Sequence, residues 1–103
     1  IGSLLMGIPT SEGLQYVGRV GSGFSDAELR RLDALLSPLR TSESPFLKVP
    51  PADASDALWV LPHVVGEVEY ADRSPSGSLR HARWRGLRPD KSPSEVIDES
   101  SQR

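Results

Sequence analysis

The stretch RGLRPDK at 85–91 holds the densest candidate chemistry in the chain, with Arg88, Asp90 and Lys91 inside four residues. A guanidinium can grip phosphate oxygens through two parallel hydrogen bonds, and an ammonium adds a compact point charge. Asp90, between two cations, would orient one of them or lower the cost of bringing both together. Pro89 stiffens the segment, because its ring fixes its own φ and biases Arg88 toward an extended conformation. Residues 73–91 carry Arg73, Arg80, Arg83, Arg85, Arg88 and Lys91 against one acid, Asp90, so six cations less one anion leave +5. The chain as a whole carries −2. That balance argues against a uniformly basic coat or a polybasic membrane binder. A basic stretch in a mildly acidic chain fits a localised phosphate-binding surface. The competing reading is a charged strand end whose side chains are simply solvated.

Other constellations are weaker. His63 and His81 are the only imidazoles, and neither has carboxylates at metal-ligand spacing, so no metal site is expected. Glu67 and Glu69 fall on one face of a predicted strand, where paired acid–base carboxylates are conceivable and a solvated face is the commoner arrangement. GRVGSGFS (18–25) leads through glycines to a helix start, yet lacks the Lys-Ser/Thr of a P-loop. A tight turn accounts for Gly21 and Gly23. Cysteine is absent, which excludes disulfides, thiolate metal sites and cysteine nucleophiles. The opening IGSLLMGI is too short to span a bilayer and has no basic segment before it. No methionine stands at position 1, so the chain reads as a piece of a longer protein.

The elements that must position these residues are legible in outline. SLLMGI (3–8) reads as a buried strand, PTSEG (9–13) as a turn and LQYVGRV (14–20) as the second strand of a hairpin. In that second strand Leu14, Tyr16 and Val20 fall on one side, Gln15 and Arg19 on the other. Ser25 is the expected N-cap of a helix, with Glu28 three residues on to complete a capping box. Leu29, Leu32, Leu35 and Leu36 follow at helical spacing, with Arg30, Arg31 and Asp33 opposite, and Pro38 ends the run. Residues 37–57 lack periodicity and read as a long loop anchored by Phe46, Leu47 and Val49. LWVLPHVVGEVEY (58–70) predicts a strand with Val64, Val68 and Tyr70 facing one way. SPSG (74–77) is a turn. SLRHARWRG (78–86) follows as a strand, with Arg80, Ala82 and Trp84 alternating against Leu79, His81, Arg83 and Arg85.

A mainly β domain follows, with about five strands and one α-helix, and the small OB-fold barrel has this content. Residues 1–91 form that domain, and 92–103 read as a C-terminal linker or tail.

Taken together, the segments IGSLLMGI, YVGRVGSGFSD, VVGEVEY and GSLRHARWRGLRPDK resemble the C-terminal OB domain of ATP-dependent DNA ligases of the bacterial end-joining type. The likeness covers nearly the whole chain, and its last stretch resembles the family's final signature, Arg-x-Asp-Lys. The resemblance implies a role in sealing DNA breaks by way of a lysyl-AMP. On that view the domain closes on the nucleotidyltransferase domain of the same chain, and Arg88, Asp90 and Lys91 orient the ATP β- and γ-phosphates. ATP and Mg are the implied cofactors, held mainly by the catalytic domain. Arg80, Arg83 and Arg85 are the expected phosphate contacts to duplex DNA carrying nicks or ends. End-binding and polymerase components are implied partners, a membrane is not, and the bacterial cytoplasm at the nucleoid is the implied location. The family's Lys-x-Asp-Gly nucleophile motif is absent from these residues, so the stretch cannot adenylylate itself. Ala82 stands where relatives tend to have proline. Two other readings stay open, a non-catalytic nucleic-acid-binding OB module and a protein-docking domain working through residues 37–57.

Overall fold

The computed structural model describes residues 2–96. Strands β1 (Leu4–Thr10) and β2 (Gly13–Val20) form an antiparallel hairpin. Its turn is held by Thr10, whose hydroxyl donates to the Gly13 carbonyl at 2.8 Å and accepts from the Glu12 amide at 3.2 Å. Met6 pairs with Gly18 and Gly7 with Tyr16, so Val17 is an extra residue bulging from β2. A bulge changes which side the following residues face. Val17 (2 % exposed) and Val20 (0 %) are both buried although three residues apart. The strict alternation expected for this strand fails there.

Helix α1 (Asp26–Leu36) begins where the capping signal places it. The Ser25 hydroxyl accepts from the Glu28 amide at 3.1 Å, and Asp26 and Glu28 place negative charge on the first turn. Leu32 is buried in the core, whereas Leu35 is exposed on the flank of the helix. A 3-10 turn over Ser37–Leu39 with Pro38 near its start closes the helix.

Residues 37–57 are more ordered than their composition predicts. They contain strand β3 (Arg40–Thr41) and the one-turn helix α2 (Pro51–Ala54), and β3 pairs with β4 (Trp59–Val60). Phe46 anchors the segment, as expected. It bridges to Leu14, and its ring meets Tyr16 edge-on at 5.3 Å and Trp59 at 6.2 Å. Leu47, by contrast, is mostly exposed.

The second half contains β5 (Gly66–Glu69), β6 (Asp72–Arg73), β7 (Leu79–Arg80) and β8 (Arg83–Leu87). The four antiparallel pairs among the described residues are β1–β2, β3–β4, β5–β8 and β6–β7. The domain is therefore mainly β with one substantial helix, as expected, but its strands are shorter and more numerous. Two residues explain the difference. Pro62, lacking an amide donor, lies between β4 and β5 in the expected strand 58–70. His81, at φ 57, separates β7 from β8 in the expected strand 78–86.

The core gathers Val20, Leu32 and Trp84, with Leu4, Met6, Phe24, Val68, Ala82 and Leu87 packed around them. Phe24 stacks on the Trp84 ring at 5.5 Å and 24°. Gly23, at φ 93, lies against the backbone of Trp84, whose amide donates to the Ser22 carbonyl at 2.9 Å. The glycine turn at 21–23 is thus a packing device that seats α1 against β8. Residues 92–96 are structured: Ser92 and Glu95 form a reciprocal capping box on a 3-10 turn over Pro93–Glu95. The remainder of the expected tail, 97–103, lies outside the described residues.

Candidate functional site

The site is built on the ladder between β5 and β8. Gly66 pairs with Leu87, Glu67 with Gly86, and Val68 with Trp84, so Arg85 is an extra residue on β8. Gly86 follows it at φ 151, a conformation L side chains rarely adopt. Counted by twos from the buried Trp84, Gly86 and Arg88 would face the core. The bulge shifts the phase by one. Leu87 packs on the core instead, and Arg88 emerges on the side of Glu67.

Past the strand, the Arg88 amide donates to the Val65 carbonyl at 2.8 Å, and the Lys91 amide donates back to the Arg88 carbonyl at 3.1 Å. Pro89 and Asp90 occupy the middle of this turn, where proline's fixed φ is favoured. The turn folds Asp90 back onto Arg88. Nε donates to Asp90 Oδ1 at 3.0 Å and Nη2 to Asp90 Oδ2 at 2.9 Å, a two-point grip. On the other side Nη1 donates to Glu67 Oε1 at 2.8 Å. A guanidinium carries five N–H donors. Three are engaged in these bonds, which leaves two unused by them.

These contacts act on charge as expected. The hydrogen bonds from Arg88 hold the Asp90 carboxyl below the usual carboxylate range. Asp90 first, and Glu67 second, push the Arg88 guanidinium further toward its protonated form. The cluster is open to water, with the Arg88 side chain 36 % exposed, so solvent screens much of the attraction.

A hollow of about 230 Å³ opens beside the turn, walled by Arg88 and Lys91 together with Arg31 of α1, His63, Leu35 and Val64. Sequence reasoning left Arg31 on the polar side of the helix and considered His63 only as a metal ligand, which it rejected. It considered Glu67 only as a partner of Glu69. The Glu67–Arg88 pair depends on the bulge, which residue types alone do not announce. A larger cavity of about 470 Å³ adjoins the hollow at Val64 and Val65, bordered by apolar side chains that include Leu4, Trp59, Trp84 and Val96.

The remaining arginines are not gathered into the turn. Arg80 lies on the separate β6–β7 pair, with Nε 3.7 Å from Asp72. Arg85 Nη1 lies 3.7 Å from Glu69, and Arg83 stands opposite Glu69 in the ladder. All three are exposed. Among the described residues, no three His, Cys, Asp or Glu side chains come together to hold a metal ion, and no helix is long and apolar enough to cross a membrane.

Comparison with known proteins bears on the family and the fold. Residues 1–91 match the family described as the ATP dependent DNA ligase C terminal region. The multifunctional non-homologous end joining protein LigD of Mycolicibacterium smegmatis is 54% identical over 98 residues, covering 94% of this chain but 13% of that protein. Among solved structures, the ligase domain from M. tuberculosis LigD superposes with a TM-score of 0.92 at 55% identity, covering 95% of this chain and 32% of that one. A mycobacterial DNA ligase D complexed with ATP and MES superposes at 0.88 with 55% identity, covering 95% of this chain and 33% of that one. The present chain thus corresponds to a small part of its curated relatives and about a third of the solved ligase domains. By sequence along nearly its whole length and by fold, the chain belongs to the family of ATP-dependent DNA ligase C-terminal regions.

Proposed function

We propose that this domain serves the nucleotide-activation step of an ATP-dependent DNA ligase that seals DNA breaks in bacterial end joining. The observation that carries the reading is Arg88, fixed in plane by the two bonds it donates to Asp90, with two N–H donors unused by its carboxylate partners and Lys91 in the same turn. Arg88 and Lys91 bind the β- and γ-phosphates of ATP, and Asp90 keeps the guanidinium oriented. In the first step a lysine of a partner nucleotidyltransferase domain attacks the α-phosphate and pyrophosphate leaves. The leaving group must lie in line opposite the nucleophile, where positive charge meets the negative charge that builds on it. Magnesium, where bound, would neutralise triphosphate charge, and its protein ligands lie on the catalytic domain. The partner domain belongs to the same polypeptide.

Arg80, Arg83 and Arg85 contact DNA phosphates when the domain turns toward duplex DNA with nicks or ends. The weak, long pairings of Arg80 to Asp72 and of Arg85 to Glu69 leave those two free to exchange for phosphate oxygens. The functional unit is residues 1–91, and 92–103 serve as its linker or tail. End-binding and polymerase components accompany the enzyme, which works in the bacterial cytoplasm at the nucleoid.

The test uses a polypeptide that joins this domain to its nucleotidyltransferase domain. Covalent AMP is followed by intact mass after incubation with ATP and magnesium, and sealing of a pre-adenylylated nick is measured in parallel. Arg88→Ala and Lys91→Ala should slow adenylylation far more than they slow the sealing. Equal loss in both assays would overturn the triphosphate role.

A further inference from the structure

We propose that Glu67 is a positioning residue of the triphosphate site, an exchange partner that holds Arg88 between turnovers and yields it to a phosphate oxygen; this rests on the reading of Arg88 given above. To a guanidinium, a carboxylate oxygen and a phosphate oxygen are alike, since both accept short charge-assisted bonds. The two carboxylates on Arg88 differ in how easily they can be replaced. Asp90 is two residues away in the same tight turn and grips Nε and Nη2 together. Glu67 is 21 residues away on the neighbouring strand and makes one bond, to Nη1. Its side chain is half exposed, so it can swing into water without leaving a buried charge. Asp90 therefore sets the plane of the guanidinium, and Glu67 occupies a donor that a ligand can claim.

Charge points the same way. Arg88 and Lys91 against Asp90 and Glu67 sum to zero, so apart from Arg31 on the wall of the hollow an arriving triphosphate meets no net charge there. Release of Glu67 to solvent exposes one net positive charge at the moment the phosphate binds. The reverse holds after the reaction: Glu67 returns to Nη1 and displaces the departing pyrophosphate. Glu67 lowers affinity for both ligands and keeps the domain from being trapped on its product.

The experiment uses the same joined polypeptide. Initial rates of adenylylation are measured over a range of ATP concentrations, and loss of AMP from the adenylylated enzyme over a range of pyrophosphate concentrations. Glu67→Gln keeps an acceptor oxygen and removes the charge. The KM for ATP and the half-saturating pyrophosphate concentration should each fall by about two- to fivefold, the value of an exposed ion pair. The rate at saturating ATP should change less than KM. In an Arg88→Ala background the Glu67→Gln effect should vanish, because Glu67 acts through that guanidinium. Persistence of the effect there would show simple long-range repulsion and overturn the exchange role. Unchanged or raised KM values for Glu67→Gln, with Arg88→Ala still impaired, would overturn it while leaving the triphosphate site standing. If Arg88→Ala leaves ATP use unaffected, the site and the exchange role fall together.

Discussion

The phenol of Tyr16 donates to Asp53 Oδ2 at 2.8 Å, tying β2 to helix α2 across 37 residues of chain. Arg19, from the same strand, reaches the same carboxylate at 3.3 Å and the Asp53 carbonyl at 3.4 Å, while its Nη1 donates to Ser3 Oγ at 3.0 Å. One carboxylate thus organises the far end of the connection between α1 and β4, while Phe46 organises the near end. A hydrogen bond to a charged group contributes about 1.5–3 kcal/mol, and less where partly exposed. Tyr16→Phe should destabilise the domain by about 1 kcal/mol, lowering the thermal midpoint by about 4–8 °C at this size. An unchanged midpoint would mean that the ring packing on Phe46 carries the whole connection.

The same pair sets an alkaline limit. Burial, and then the bond to Asp53, raise the Tyr16 pKa well above its ordinary value. An acid whose folded pKa is raised favours folding below its unfolded pKa of about 10, and loses that contribution as pH climbs toward the folded value. Chemical denaturation between pH 9 and 12, as an order-of-magnitude window, should show stability falling in the natural chain. The decline should be shallower in Tyr16→Phe. Parallel declines would assign the alkaline loss to other groups.

Gly66 makes a sharper prediction. A Cβ there would run into the six-membered ring of Trp84, which fills the core beside Val20 and Leu32. Overpacking of this kind costs about 1–3 kcal/mol. Gly66→Ala should reach that range, and combining it with Trp84→Leu should be non-additive, because the smaller side chain removes the clash. Additive losses in urea denaturation would show that the backbone of Gly66, not the space above it, is what matters.

Ser25→Ala removes the acceptor for the Glu28 amide and should destabilise the domain by about 1 kcal/mol, while Ser25→Gly should cost a few tenths. Equal effects would point to the serine's backbone conformation in place of its hydroxyl. This element was also the plainest in the sequence, where a capping serine followed by leucines at helical spacing placed α1 within a residue of where it lies. The signature residues Arg88, Asp90 and Lys91 were equally visible as a segment stiffened by Pro89, but the turn that folds Asp90 back onto Arg88 was not. The residues around that turn were harder to see. Alternation assumes that no residue is inserted, and Val17 and Arg85 are both insertions that leave composition and periodicity almost untouched. The stretch 37–57 looked structureless because its order comes from single distant contacts at Phe46 and Asp53, which no local pattern encodes.

If Arg80, Arg83 and Arg85 each neutralise a DNA phosphate, replacing all three by alanine should reduce the log–log salt slope of duplex binding by about 2.7. The measurement compares affinities of the joined polypeptide for a nicked duplex across salt concentrations. An unchanged slope would remove these side chains from the DNA surface.

The extra residue at Arg85 also bears on how such motifs are inherited. Inserting one residue between Trp84 and Leu87 would leave Arg-x-Asp-Lys intact in every alignment, yet with a single bulge kept there the ribbon beyond would arrive turned over, with Leu87 in water and Arg88 against the core. The four letters of the signature are therefore meaningful only together with the strand upstream of them. Insertions in that short interval should be far less tolerated than substitutions, even at positions whose own side chains touch nothing.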